Sequence, residues 1–145
     1  MMFILDTNVV SELRKARAGR ADANVAAWAS SVEPSTLYIS VITAKELELG
    51  VLQAERRDPV QGASLRRWLH AKVLAEFDGR MLPIDLPVAQ QCARLHVPDP
   101  KNDRDALIAA TGLIHGMTVV SRNVGNFAAT RVNLLNPWES PKNPN

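Results

Sequence analysis

Met2-Phe3-Ile4-Leu5-Asp6-Thr7-Asn8 opens the chain with four apolar residues that stop abruptly on an acid. An apolar run without alternation suits a strand covered on both faces, as in a parallel sheet. Ligands of open α/β sheets bind at the carboxyl ends of such strands, which is where Asp6 stands. Asp6 has a second reading as the N-cap of a helix carrying Val9-Val10-Ser11-Glu12-Leu13, because Asp, Thr and Asn accept hydrogen bonds from the orphan amides of a first turn. Sequence alone leaves both readings open.

Working outward, the spacing predicts helices near Val9–Ala16 and Asp22–Ser31, a strand at Leu37–Val41 and a helix from Ile42 to Arg56. Arg57-Asp58-Pro59 breaks that helix. Val60–Phe77 then reads as one long helix carrying Leu65, Trp68, Leu69, Val73 and Phe77 at helical spacings. A strand at Met81–Ile84, a helix at Pro87–Val97, a loop at Pro98–Asn102 and a strongly apolar helix at Asp105–His115 follow, then strands at Met117–Ser121 and Val132–Leu135. Strands alternating with helices argue an α/β fold with a central, mostly parallel sheet between helical layers. The 145 residues, 46% hydrophobic, fit one domain over 1–138 with a flexible C-terminal tail at 139–145, where prolines cluster. One cysteine, Cys92, excludes an internal disulfide. With no apolar run of membrane length and no signal-peptide pattern, the chain is expected in the cytoplasm and off the membrane.

Three further segments are expected to deliver oxygen donors to the same sheet edge. Glu46 follows the second strand and shares a helical face with Ile42 and Leu49, whereas Glu48 projects away. An inward Glu needs a metal, a cation or a hydrogen-bond network; the alternative is a stripe-edge residue that reaches water. Asp105 lies in the first turn of an apolar helix, after a cap at Asn102 or Asp103, and is either a dipole-stabilised acid or a site residue. Val119-Val120-Ser121-Arg122-Asn123 repeats the pattern of an apolar strand ending in polar groups.

Oxygen donors without a matching His or Cys set favour a hard cation, Mg²⁺ or Mn²⁺. His70, His96 and His115 have no ligand-like spacing and Cys92 no partner, which argues against zinc. A carboxylate-held Mg²⁺ suits phosphodiester hydrolysis without a protein nucleophile. No Gly-rich phosphate loop and no Gly-x-Ser-x-Gly elbow is present. Three acids brought together without a cation should repel, raising their pKa values in the folded state. The net charge of +2 is mild, but Arg14, Lys15, Arg17 and Arg20 cluster, with smaller groups at Arg56-Arg57, Arg66-Arg67 and Lys101/Arg104. These suit phosphate contacts or, equally, a solvated surface.

At Ile4-Leu5-Asp6-Thr7-Asn8, Ile39-Ser40-Val41-Ile42-Thr43 with Glu46-Leu47 and Gly50, Asp105-Ala106-Leu107-Ile108-Ala109-Ala110-Thr111, and Val120-Ser121-Arg122-Asn123 with Phe127, the chain resembles the PIN-domain ribonucleases. The VapC and FitB-like toxins of toxin–antitoxin pairs are the nearest pattern. The resemblance implies a Rossmann-like α/β/α sandwich, Mg²⁺- or Mn²⁺-dependent endonucleolytic cleavage of RNA, and a homodimer inhibited by a VapB-like antitoxin. Carried over, Asp6, Glu46 and Asp105 match the family's metal-site acids, with Thr7, Asn8 and Ser121 as secondary positions. At the fourth place, where the family often has Asp, this chain offers Asn123 or Asn126. Arg14, Lys15, Arg17, Arg20, Arg104 and Arg122 are the candidate RNA or antitoxin contacts. A catalytically inactive PIN-like binding module is the alternative. A dehalogenase-like phosphoryl-transfer enzyme fits less well, since its second acid would fall on Asn8.

Overall fold

The computed structural model of the chain describes residues 1–139, apart from the side chain of Arg17. Beyond Glu139 the expected tail lies outside the described residues, as does the role expected of the Arg17 side chain. Five short parallel strands form one sheet in the order β3-β2-β1-β4-β5. They are β1 Phe3–Leu5, β2 Leu37–Ser40, β3 Met81–Leu82, β4 Thr118–Val120 and β5 Leu134–Leu135. Ile4 is paired with Tyr38 on one side and Val119 on the other, so β1 is the central strand. From β1 the chain steps outward to β2 and β3, then returns to the opposite side of β1 for β4 and β5. The carboxyl ends of β1 and β4 therefore flank the crevice where the winding reverses, the usual ligand position of such sheets.

The alternation of side chains along a strand explains the two larger apolar cores, one on each face of the sheet. Phe3 and Leu5 pack with Val9, Val51, Leu69 and Phe77 on one face, while Ile4 packs with Ile108, Val119 and Phe127 on the other. Helices α1 (Thr7–Arg14), α2 (Ala23–Ser31), α3 (Val41–Arg57), α4 (Pro59–Trp68), α5 (Leu86–Leu95) and α6 (Asp103–His115) supply those layers. The result is the expected α/β/α sandwich. Among the described residues, no helix is long and apolar enough to cross a membrane.

Several local expectations change. The helix predicted over Val60–Phe77 is α4 followed by π-helical turns at Leu69–Leu74, a widening that keeps Leu69, Val73 and Phe77 in the core. On α3 the buried stripe is Thr43, Leu47, Val51 and Ala54, and Leu49, expected to share the inward face with Glu46, is 49% exposed. The next helix turns back tightly: Gly62 lies so close to α3 that a Cβ would stand 2.4 Å from Glu55 Cα. A 3₁₀ segment at Val124–Thr130, not foreseen, buries Phe127 completely. Asn102 caps α6 by accepting from the Asp105 amide at 3.1 Å, so the helix starts at Asp103 and not at Asp105. At its other end Gly116, with φ of 65°, supplies the left-handed C-cap. Because α6 runs back toward the start of β4, its N-terminus arrives at the carboxyl edge of the sheet.

Candidate active site

Asp6 combines both roles that its sequence position allowed. Its Oδ1 accepts from the Thr7 amide at 2.8 Å, which caps α1, while its Oδ2 accepts from the Ser121 hydroxyl at 2.7 Å. The residue is 1% exposed. Ser121 is itself saturated, since its oxygen also accepts from Asn8 Nδ2 at 3.4 Å and from the Asn123 amide at 3.0 Å. The ends of β1 and β4 are thereby tied through one hydroxyl.

Glu46 enters from the second turn of α3. The Thr7 hydroxyl donates to its Oε1 at 2.6 Å, and Thr7 Oγ1 also lies 3.1 Å from that of buried Thr43. Thr43 carried no expectation from sequence, yet its place one turn before Glu46 on the buried face sets how that turn seats against α1. Asp105, also buried, enters from the first turn of α6.

All three acids meet at Arg104. Its Nε donates to Glu46 Oε2 at 2.9 Å, its Nη1 to Asp105 Oδ1 at 2.7 Å, and its Nη2 to Asp6 Oδ1 at 2.5 Å and Glu46 Oε1 at 2.7 Å. The expectation of mutually repelling acids is corrected here, because a guanidinium fills their common ground. Burial pushes the Glu46 carboxyl up, but the hydrogen bonds from Arg104 and Thr7 outweigh it and hold Glu46 below the usual carboxylate range. Burial opposes the charge on Arg104 as well, and its bonds to Glu46 and Asp6 raise its pKa in spite of that. Arg104, expected among the RNA or antitoxin contacts, turns its guanidinium toward the three acids in this structure.

The remaining candidates divide. Thr7, Asn8 and Ser121 belong to the network around the acids, Asn8 Oδ1 also accepting from the Arg122 amide at 3.3 Å. Asn123 and Asn126 are exposed, and among the described residues no hydrogen bond joins either side chain to the three acids. Arg122 stacks over Trp138 at 5.3 Å. Lys15 pairs with Glu12 at 2.9 Å, and Arg14 lies over Trp68 at 5.7 Å at the far end of α1 from Asp6. Arg14 lines a cleft of about 280 Å³ with Leu5, Leu13, Trp68, Lys72 and Phe77. Arg66, expected among phosphate contacts, is committed to Glu48 and to Glu55, the latter at 2.8 Å.

A second cluster corrects the expectation that Cys92 has no partner and that His96 has no ligand-like spacing. Cys92 and His96, one turn apart on α5, meet Asp103: Cys92 Sγ lies 3.8 Å from His96 Nε2, and His96 Nε2 lies 3.2 Å from Asp103 Oδ1. The proton bookkeeping disfavours a metal there. His96 Nδ1 accepts the Lys101 amide at 3.0 Å, so in the neutral ring Nε2 carries the hydrogen and donates it to Asp103, leaving no lone pair for a cation. Burial, reinforced by Asp103, also pushes the Cys92 thiol up, away from the thiolate a metal needs.

The PIN-domain family model matches residues 3–132. The chain belongs to the PIN-domain family. Among relatives of this PIN domain, a VapC ribonuclease of Sinorhizobium fredii, Y4jK, is 37% identical over 95% of the chain and 99% of its own length. Toxin FitB of Neisseria gonorrhoeae is 35% identical over 94% of the chain and 99% of its own length. Among solved structures, that of FitAB bound to a DNA fragment superposes with a TM-score of 0.88 at 33% identity, covering 99% of this PIN domain and all (100%) of that chain.

Proposed function

We propose that this PIN domain, spanning residues 1–138, is a metal-dependent endoribonuclease that acts as the toxin of a toxin–antitoxin pair. The observation that carries the reading is the convergence of Asp6, Glu46 and Asp105 on a single positive group at the reversal point of the sheet. Three carboxylates that together hold one guanidinium are shaped to hold one cation, and their all-oxygen chemistry matches Mg²⁺ or Mn²⁺. Asp6, Glu46 and Asp105 would hold it. When bound, such a cation supplies a Lewis acid that activates water and neutralises charge building on the phosphate.

The chain's own residues do the positioning. Ser121 and the Thr7 amide fix both oxygens of Asp6, so the carboxylate cannot rotate away from the crevice. Thr7 and Thr43 orient Glu46, and the Asn102 cap sets the turn that carries Asp105. Named relatives include ribonucleases and a toxin, which supports RNA as the substrate and a small VapB-like antitoxin as the partner. A homodimer acting in the cytoplasm completes the reading.

The test is cleavage of total RNA by the purified chain with Mg²⁺, Mn²⁺ or EDTA, for wild type, Asp6→Asn, Glu46→Gln and Asp105→Asn. Cleavage should require the divalent ion and fall about a hundredfold or more in each variant. Undiminished cleavage in EDTA would defeat the metal reading, and near-wild-type cleavage by a variant would remove that acid from the site. A folded chain that binds RNA but never cleaves it would instead support the inactive binding module.

A further inference from the structure

Arg104 is placed where the proposed metal would go. Its Nε, Nη1 and Nη2 groups together reach all three acids, using Asp6 Oδ1, Asp105 Oδ1 and both oxygens of Glu46, with Thr7 Oγ1 at 3.2 Å from Nη2. The other oxygen of Asp6 is taken by Ser121. An ordinary surface ion pair has one partner and is loosely held; this guanidinium has three carboxylates and fixed fork geometry.

We propose that Arg104 is a built-in counter-ion that occupies the metal position and must withdraw before a divalent cation binds, so that this arginine sets the metal affinity of the site. The inference rests on the metal site proposed above. The oxygens that would hold the cation are those that accept the guanidinium, and the two positive groups cannot converge on them at contact distance without strong repulsion. Deprotonation offers no escape, because arginine stays charged in proteins. Withdrawal is structurally simple. The side chain is 31% exposed and springs from the first turn of α6, so it can swing toward solvent without unpacking either core. Its backbone stays one residue from Asp105, which keeps a positive group beside an acidic site that must receive a polyanion.

Competition has a definite arithmetic. A site whose binding-competent state is populated one-tenth of the time binds about tenfold more weakly than the same site held open. Mn²⁺ titrations followed by the electron paramagnetic resonance of the free ion should therefore show Arg104→Gln binding Mn²⁺ about tenfold or more tightly than wild type. Arg104→Lys, which keeps the charge but loses the fork, should fall between them. In wild type the Arg104 Nε–H should be protected from exchange in EDTA and exchange freely at saturating Mg²⁺, as read by ¹⁵N–¹H spectra.

Unchanged or weaker Mn²⁺ binding by Arg104→Gln overturns the inference, and so does an Nε–H that stays protected at saturating Mg²⁺. If Arg104→Gln fails to fold, Arg104→Lys and the wild-type spectra decide by the same criteria. Absence of Mn²⁺ binding in wild type and both variants defeats the metal site itself, an outcome distinct from tight binding that is indifferent to Arg104.

Discussion

The Ser121 hydroxyl donates to Asp6 Oδ2 at 2.7 Å, joining residues 115 positions apart at the ends of adjacent strands. With the Thr7 amide and Arg104 on the other oxygen, that bond makes a buried aspartate tolerable at the edge of an apolar strand. Ser121→Ala should leave the carboxylate oxygen unpaired and cost about 1–3 kcal/mol of stability in urea unfolding. Asp6→Asn should also lose stability in EDTA, because it removes one of the anions facing the Arg104 guanidinium. Isolated acids would predict the opposite sign, so an Asp6→Asn that melts above wild type in EDTA would mean that Arg104 does not neutralise the cluster in solution.

Asp103 and Asp105 differ by two residues and should differ sharply in effect. Asp103 is exposed and bonded to His96, whereas Asp105 is buried against Arg104. Asp103→Asn can still accept from His96 and should keep RNA cleavage within a few-fold of wild type. Asn102→Ala removes the α6 cap and should cost about 1 kcal/mol, measurable by thermal unfolding. Equal loss of cleavage from Asp103→Asn and Asp105→Asn would overturn this division.

The fold was legible because the strands are short apolar runs and the helices carry their own caps at Asp22, Ser40, Asp58, Asp85 and Asn102. Asp6 and Asp105 stood out because each is an acid where an apolar element ends or begins, and Glu46 because it shares a helical face with apolar Ile42. The inward turn of Arg104 was not legible, because helical position alone does not say which way a long flexible side chain bends; it depends on the three anions that the folded chain assembles. The Cys92–His96 pair was legible in principle as an i, i+4 spacing on α5, but Asp103 reaches it only through the loop between α5 and α6. The π-helical turns at Leu69–Leu74 left no local mark, since Leu69, Val73 and Phe77 fit an ordinary helix in sequence.

The basic residues near the end of α1 test whether the cleft side of the molecule contacts RNA. Arg14 borders the apolar cleft and Lys15 is already paired with Glu12, so replacing either alone should do little. Neutralising Arg14, Lys15 and Arg20 together should reduce the slope of log affinity against log salt by about 2–3, if all three release counterions from RNA. Filter-binding or fluorescence titrations across salt concentrations with a cleavage-deficient Asp105→Asn background measure it. An unchanged slope assigns the cluster to solvent or to the partner protein.

Glu46 gives the network a pH signature whose sign separates a neutralised cluster from a repelling one. Its carboxyl lies below the ordinary value of 4.5 in the folded chain, since the bonds from Arg104 and Thr7 outweigh burial. A depressed folded pKa contributes stability that is present above about pH 4.5 and is lost as the pH falls through the folded value. Glu46 is partly exposed, so solvent screening makes the contribution modest. Urea unfolding in EDTA should therefore show a wild-type advantage over Glu46→Gln that is flat from about pH 7 to pH 5 and shrinks on further acidification. In an Arg104→Gln background the sign should reverse: burial and the neighbouring acids then favour the protonated form, and adding Glu46→Gln should stabilise the chain at neutral pH. A wild-type advantage that grows on acidification, or a double variant that loses stability as the single one does, would show that the guanidinium does not govern the charge of this site.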